Sequence, residues 1–276
     1  MSGSGRVVSE LHVTDTGGGG PTVVFLHGNP TSSYLWRHVI GALGERFRCV
    51  AVDLIGMGES PKPPIAYDWN DHRRYLTPVL DRLDAPFWLV GHDWGIGLAL
   101  EYARTRSGRV RGVAIAEGHL RPLASWDEFD EGGRELFRLL RDPVEGRRMV
   151  EDDNVFLSTV LPGGTIRELT PQELSAYAAP YPTPQSRHPI WKWVTQIPIA
   201  GDPPETHRVL TANWEWLGTT DTPVMLLAAT PGAVLGPEQV RRISPRVRIR
   251  NVGEGLHFLP EDRPAEIAAE LTEWMH

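Results

Sequence analysis

The stretch Phe87-Trp88-Leu89-Val90-Gly91-His92-Asp93-Trp94-Gly95-Ile96-Gly97-Leu98-Ala99-Leu100 decides how this chain is read. Its first four residues are a continuous apolar run, as in a strand covered on both faces. Glycines then flank an acidic residue, and a helix-length run of small and apolar residues follows. So tight a turn leaves no room for side chains beside Asp93, and Gly95 and Gly97 would let the helix lie close to the sheet. Strand, sharp turn and helix is the setting in which a nucleophile is held clear at the end of a sheet.

The same rhythm extends on both sides. Residues 7–15 alternate like a half-buried strand and turn at Gly17–Gly20, while 22–26, 49–52 and 113–116 are buried-strand runs. Helix-length stretches at 33–43, 71–83 (bent by Pro78) and 96–106 lie between them, which predicts βαβ units and a parallel sheet. After Ala116 the rhythm stops, and residues 120–219 show only helical patterns between prolines. There Trp126, Phe129, Phe137 and Leu140 recur at near-helical spacing. Thr170-Pro171-Gln172-Glu173 reads as a capping box, Asp202-Pro203-Pro204-Glu205 repeats the signature, and Gly218 reads as a stop. Strand runs resume at 224–227 and 247–249, and Pro264 opens a last amphipathic helix. The expected organisation is an α/β core over 1–119 and 220–276 with a helical cap over 120–219.

Composition narrows the task. The 276 residues are 41% hydrophobic and 23% charged, which excludes a disordered or fibrous chain. A net charge of −7 argues against nucleic acid or an anionic membrane as partner. The single cysteine, Cys49, allows neither an intramolecular disulfide nor a cysteine metal site. Residues 1–6 lack the apolar core of a signal peptide, and no apolar run approaches the ~18 residues of a membrane span, so a cytoplasmic location is expected.

No G-x-S-x-G occurs anywhere, which excludes a conventional serine esterase. Capping the following helix is the ordinary use of an aspartate here, but the strand before Asp93 and the tryptophan after it favour a nucleophile. A carboxylate is a poor nucleophile toward an ester or amide carbonyl, because an anhydride would form. It is suited to displacing a leaving group from a saturated carbon, leaving an alkyl ester that water can cleave. The substrate should therefore carry a carbon–halogen bond or an epoxide.

The second step needs a base. His257 lies just past the last strand run, where open α/β sheets place their sites. His27 and His92 look turn-shaping, and His12, His38, His72, His188, His207 and His276 sit in surface-like contexts. His119, after a strand end, is the best competitor. The acid that orients the base should be Glu117, at the end of the strand after the elbow helix; the loop after the next strand offers none before Glu238. Asn29, in Leu26-His27-Gly28-Asn29-Pro30, and Trp94 add neutral N–H donors able to stabilise a departing halide.

Together these motifs resemble the haloalkane dehalogenases of the α/β-hydrolase superfamily along nearly the whole chain. The resemblance includes His27-Gly28-Asn29-Pro30-Thr31-Ser32-Ser33-Tyr34-Leu35-Trp36-Arg37 and Asp53-Leu54-Ile55-Gly56-Met57-Gly58-Glu59-Ser60. It continues through Gly91-His92-Asp93-Trp94-Gly95, Ser125-Trp126-Asp127-Glu128-Phe129, Pro198-Ile199-Ala200-Gly201 and Gly255-Leu256-His257-Phe258 with Glu261-Asp262. It implies an α/β-hydrolase fold, a mostly parallel central sheet with the cap inserted after the sixth strand. The catalytic residues would be Asp93, His257 and Glu117, as in the subfamily with a glutamate acid, and the halide donors Asn29 and Trp94. Phe137, Phe156, Val234 and Leu235 would line the pocket. No metal and no organic cofactor is implied, and the partners are a small apolar halogenated substrate and halide ion. Gly132-Gly133 replace larger residues often seen in this part of the cap and would widen the pocket or loosen its lid.

Three other readings remain. An epoxide hydrolase can share Gly-His-Asp-Trp-Gly but needs acidic donors, for which Tyr177 and Tyr181 are available. A coelenterazine luciferase uses the same triad, and a non-catalytic small-molecule receptor could keep the scaffold.

Overall fold

The computed structural model describes residues 10–275. Among the described residues seven strands form one sheet in the order β1-β3-β2-β4-β5-β6-β7. They are β1 (Val13–Asp15), β2 (Thr22–Leu26), β3 (Arg48–Val52), β4 (Phe87–His92), β5 (Val110–Ala116), β6 (Val224–Pro231) and β7 (Val247–Gly255). Only β1 runs antiparallel, against β3; the other pairs are parallel. The apolar runs of β2, β4 and β5 are buried, as their composition predicts for strands covered on both faces. The strand expected over 7–15 is hydrogen-bonded only over Val13–Asp15, and residues 7–9, like the leader reading of 1–6 and His276, lie outside the described residues.

Helices connect the strands: α1 (Arg37–Leu43, entered by a tight turn from Ser33), α2 (Trp69–Asp81) and α3 (Trp94–Thr105). Between β5 and β6 the described chain adds no strand to the sheet. It holds α4 (Glu131–Arg141), an irregular helical passage over 145–163 broken at the left-handed Asn154, α5 (Pro171–Ala178), α6 (His188–Thr195) and α7 (Pro204–Thr219). Among the described residues this segment follows the fifth strand, not the sixth as expected. After β7 come α8 (Leu259–Asp262) and α9 (Pro264–Trp274).

The Thr170 capping box is present on α5. Its expected repeat at Asp202 is not: Pro203 caps α7 without a side-chain bond, Asp202 pairs with Arg141 at 3.3 Å, and the helix runs past Gly218 to Thr219. Gly132 and Gly133 form the first turn of α4, where the Asp130 carboxylate accepts from the Gly133 N–H at 2.7 Å. Gly132 is exposed and Gly133 half-buried.

Sheet register brings the chemistry together. Leu26 pairs with Gly91, and His92 with Ala116. Asn29, Asp93 and Glu117 therefore leave neighbouring strands at the same carboxyl edge, the usual site position in open α/β sheets.

Candidate active site

Asp93 stands between β4 and α3 with φ 50° and ψ −122°, in the sparsely populated left-handed half of backbone space. Its neighbours impose this by having no side chains. A Cβ on Gly28 would strike Trp94 N at 2.7 Å, one on Gly118 would strike Asp93 Cα at 2.7 Å, and one on Gly95 would collide with the Leu26 carbonyl. Gly97 makes room for the Trp69 ring of α2 rather than for the sheet. Although Asp93 occupies the cap position of α3, its side chain makes no capping bond. Instead Oδ2 accepts the Asn29 backbone N–H at 2.8 Å, and the Trp94 backbone N–H lies close enough to favour the charged carboxylate. Burial raises the pKa of this carboxyl, and Glu117 adds to the rise. His257 and the two N–H groups offset it only in part, so the value stays above that of an ordinary aspartate.

His257 follows β7. Its carbonyl accepts from His92 Nε2 at 2.7 Å and from Leu259 N at 2.9 Å, which pins the backbone on which the imidazole turns. Nδ1 lies 3.9 Å from Glu117 Oε2, an ion-pair distance too long for a hydrogen bond. Burial depresses the imidazole pKa, but the carboxylates of Glu117 and Asp93 outweigh it, and the net shift is upward. The Glu117 side chain is buried, with Oε2 accepting from Ala233 N at 3.2 Å and Val234 N at 2.9 Å. Those two N–H groups fix the carboxyl on the side from which it faces the imidazole.

The competing histidines have other roles. His27 donates from Nδ1 to the Gly28 carbonyl and accepts the Leu54 N–H at Nε2, so it is a neutral brace for the turn. Burial, then the proximity of His257, pushes His119 down to about 4. His72 departs from expectation: it is buried, not surface-like, because it falls on the apolar stripe Trp69, His72, Leu76 and Leu80 of α2. That stripe was readable in the sequence.

Of the two expected halide donors, Asn29 is buried and donates from Nδ2 to the Ile190 carbonyl at 3.1 Å. Trp94 is buried too, with Trp193 stacked on it at 4.7 Å between centroids. Trp193 was not singled out from sequence; its place in the apolar pattern of α6 was the available signal. Of the four pocket candidates, Phe156 and Leu235 are buried, and Val234 belongs to the loop that holds Glu117. Phe137 packs on Phe129 at 5.2 Å.

Both cap tyrosines considered as epoxide acids are occupied elsewhere. Tyr177 donates to Glu261, and Tyr181 receives the Gly58 N–H at 3.3 Å and faces Met57 Sδ. Two surface clefts, of about 430 and 350 Å³, open beside Arg73 and Arg74 and beside Ser33 and Tyr34; Asp93, Trp94 and His257 line neither. Side-chain chemistry, not cleft size, locates the site.

A strained acidic elbow facing a histidine across the carboxyl edge of a parallel sheet defines a class, and comparison agrees: the alpha/beta hydrolase fold family matches residues 21–264. The chain is 40% identical to a haloalkane dehalogenase of Mesorhizobium japonicum, covering 97% of this chain and 88% of that one. It is 37% identical to one of Bradyrhizobium diazoefficiens, over 92% and 87%. The crystal structure of the haloalkane dehalogenase DbeA from Bradyrhizobium elkani superposes with a TM-score of 0.90 at 35% identity, covering 96% of this chain and 98% of that one. Within the alpha/beta hydrolases this chain belongs to the haloalkane dehalogenases, and its activity is haloalkane dehalogenation. No helix among the described residues is long and apolar enough to cross a membrane.

Proposed function

We propose that dehalogenation proceeds through a covalent alkyl ester on Asp93. The carboxylate attacks the halogen-bearing carbon in line; a C–O bond forms as the C–halogen bond breaks, and halide leaves with the bonding electrons toward Asn29 Nδ2–H and Trp94 Nε1–H. Neutral donors suit this task because they stabilise the anion as charge develops and do not hold it as firmly as a cation would. His257, steadied by Glu117, then takes a proton from water, whose oxygen adds to the ester carbonyl. The backbone N–H groups of Asn29 and Trp94 stabilise that oxyanion, a contribution worth about 10²–10³ in rate for one such donor. Collapse releases the alcohol, regenerates the Asp93 carboxylate and leaves a proton for solvent.

The observation that carries this reading is the Asn29 N–H held on Asp93 Oδ2 at 2.8 Å, which leaves Oδ1 as the attacking atom. The segment 120–219 acts as the cap, and Phe137, Phe156, Val234 and Leu235 line an apolar pocket suited to a small halogenated alkane. Desolvation there favours attack by a buried carboxylate.

The test is His257→Phe with a 1-bromoalkane. One equivalent of bromide per protein, with the alkyl mass retained on the peptide carrying Asp93, is expected. Bromide release without alkylated protein from an active parent would reject the covalent route.

A further inference from the structure

The proposed halide donors lie at the carboxyl edge of the sheet, Asn29 in the loop after β2 and Trp94 at the start of α3, yet one helix of the intervening segment holds both. The Ile190 carbonyl on α6 accepts one N–H of the Asn29 amide at 3.1 Å. One turn later, Trp193 lies flat on Trp94, with planes 19° apart and centroids at 4.7 Å. Its opposite face is covered by His72 of α2, at 3.8 Å and 21°. Trp193 is thus a plate between an indole and an imidazole, and Trp69 meets both indoles edge-on at 6.1 and 6.4 Å.

Packing alone does not account for this arrangement. His72 is buried with neither ring nitrogen hydrogen-bonded, and Trp193 Nε1 is buried without a partner. Orphaned buried polar groups are destabilising, a penalty that leucine side chains would avoid. Burial holds His72 uncharged, at about 3, so no ion pair compensates. What the two rings supply and leucine does not is a flat face. The indole N–H points within the ring plane, so fixing the plane fixes the direction of the donor, and a hydrogen bond weakens steeply once misaligned.

We propose that Trp193 and His72 are positioning residues for halide departure. Their stack fixes the Trp94 plane while Ile190, on the same helix, fixes the Asn29 amide. This rests on the halide-donor reading above and deepens it. Halide is held only while α6 is docked, so halide release and displacement of α6 are one event. The stack acts on alkylation, in which the halide leaves, and not on ester hydrolysis by His257.

The experiment compares Trp193→Leu, Trp193→Phe, His72→Leu and His72→Phe, with Trp94→Leu as control. Three readouts are taken: bromide inhibition, the rate of the bromide burst, and hydrolysis of the alkyl-enzyme. Near-ultraviolet circular dichroism reports folding. The leucine variants should weaken bromide inhibition and slow the burst about tenfold, as for one misaligned bond to an ion. Hydrolysis should be unchanged, and the phenylalanine variants should recover most of the loss. Folded leucine variants with parental bromide inhibition, or with both chemical steps slowed equally, overturn the proposal. Where Trp193→Leu does not fold, the His72 pair decides by the same criteria. Unchanged bromide inhibition in Trp94→Leu would instead show that the halide-donor reading is wrong.

Discussion

The backbone N–H of Asp93 donates to the carbonyl of Glu117 at 2.9 Å, and both residues are left-handed, with φ 50° and 46°. The proposed nucleophile and its proposed orienting acid are therefore joined through the main chain of adjacent strands as well as through His257. Non-glycine residues in this conformation cost about 1–3 kcal/mol each and persist only where the surroundings over-determine them. Here a parallel ladder on one side and glycines on the other do so.

Replacing Glu117 with Gln should separate the two steps. Alkylation survives, whereas hydrolysis of the alkyl-enzyme falls about a hundredfold or more as the base loses its orienting charge. The sign of the pH effect follows from the imidazole. His257 must be neutral to act, burial lowers its pKa, and Glu117 and Asp93 raise it. Asp93 is neutral once esterified, so Glu117 is then the raising charge, and its removal moves the acid limb of hydrolysis to lower pH. Single-turnover hydrolysis across pH reads this directly; an unmoved limb would mean that the two groups are uncoupled.

A first turnover in ¹⁸O-water should give unlabelled alcohol. Oδ2 is held by the Asn29 N–H, so Oδ1 forms the ester and departs with the alcohol, while solvent oxygen enters the carboxyl of Asp93. Mass spectrometry of product and peptide after a turnover with enzyme in excess checks both. Label in the first alcohol would point to direct attack of water on the substrate.

Glu261 should prove a large contributor to stability. Its buried carboxylate accepts from Arg37 at 2.6 and 3.0 Å, and also from Arg167 and Tyr177, so it joins α1 and α8 to the segment between β5 and β6. Glu261→Ala leaves partly buried guanidinium groups without this acceptor and should cost about 3–5 kcal/mol. Urea unfolding measures this, and a loss under about 1 kcal/mol, the scale of an exposed pair, would contradict it.

Gly132→Ala should stabilise the protein. Nothing lies within ordinary contact of the added methyl except Asp130 Oδ1 at 3.7 Å, and the helix gains the usual advantage of alanine, about 0.5–1 kcal/mol. Thermal unfolding should rise with turnover unchanged; an altered substrate range would show that this turn faces the pocket.

Local pattern was sufficient for much of this protein. The β-branched runs, the glycines around Asp93 and the position of Glu117 at a strand end are consequences of short-range sterics, and adjacent residues carry that information. The buried state of His72 was also legible, from its place on the stripe that begins at Trp69. Tertiary structure alone decided what distant residues do to one another. It removed Tyr177 from the chemistry by pairing it with Glu261, 84 positions away, and set His257 at 3.9 Å from Glu117. It also pressed Trp193 between His72 and Trp94. Such contacts depend on how helices dock across a sheet, a cooperative outcome of packing that no single segment encodes.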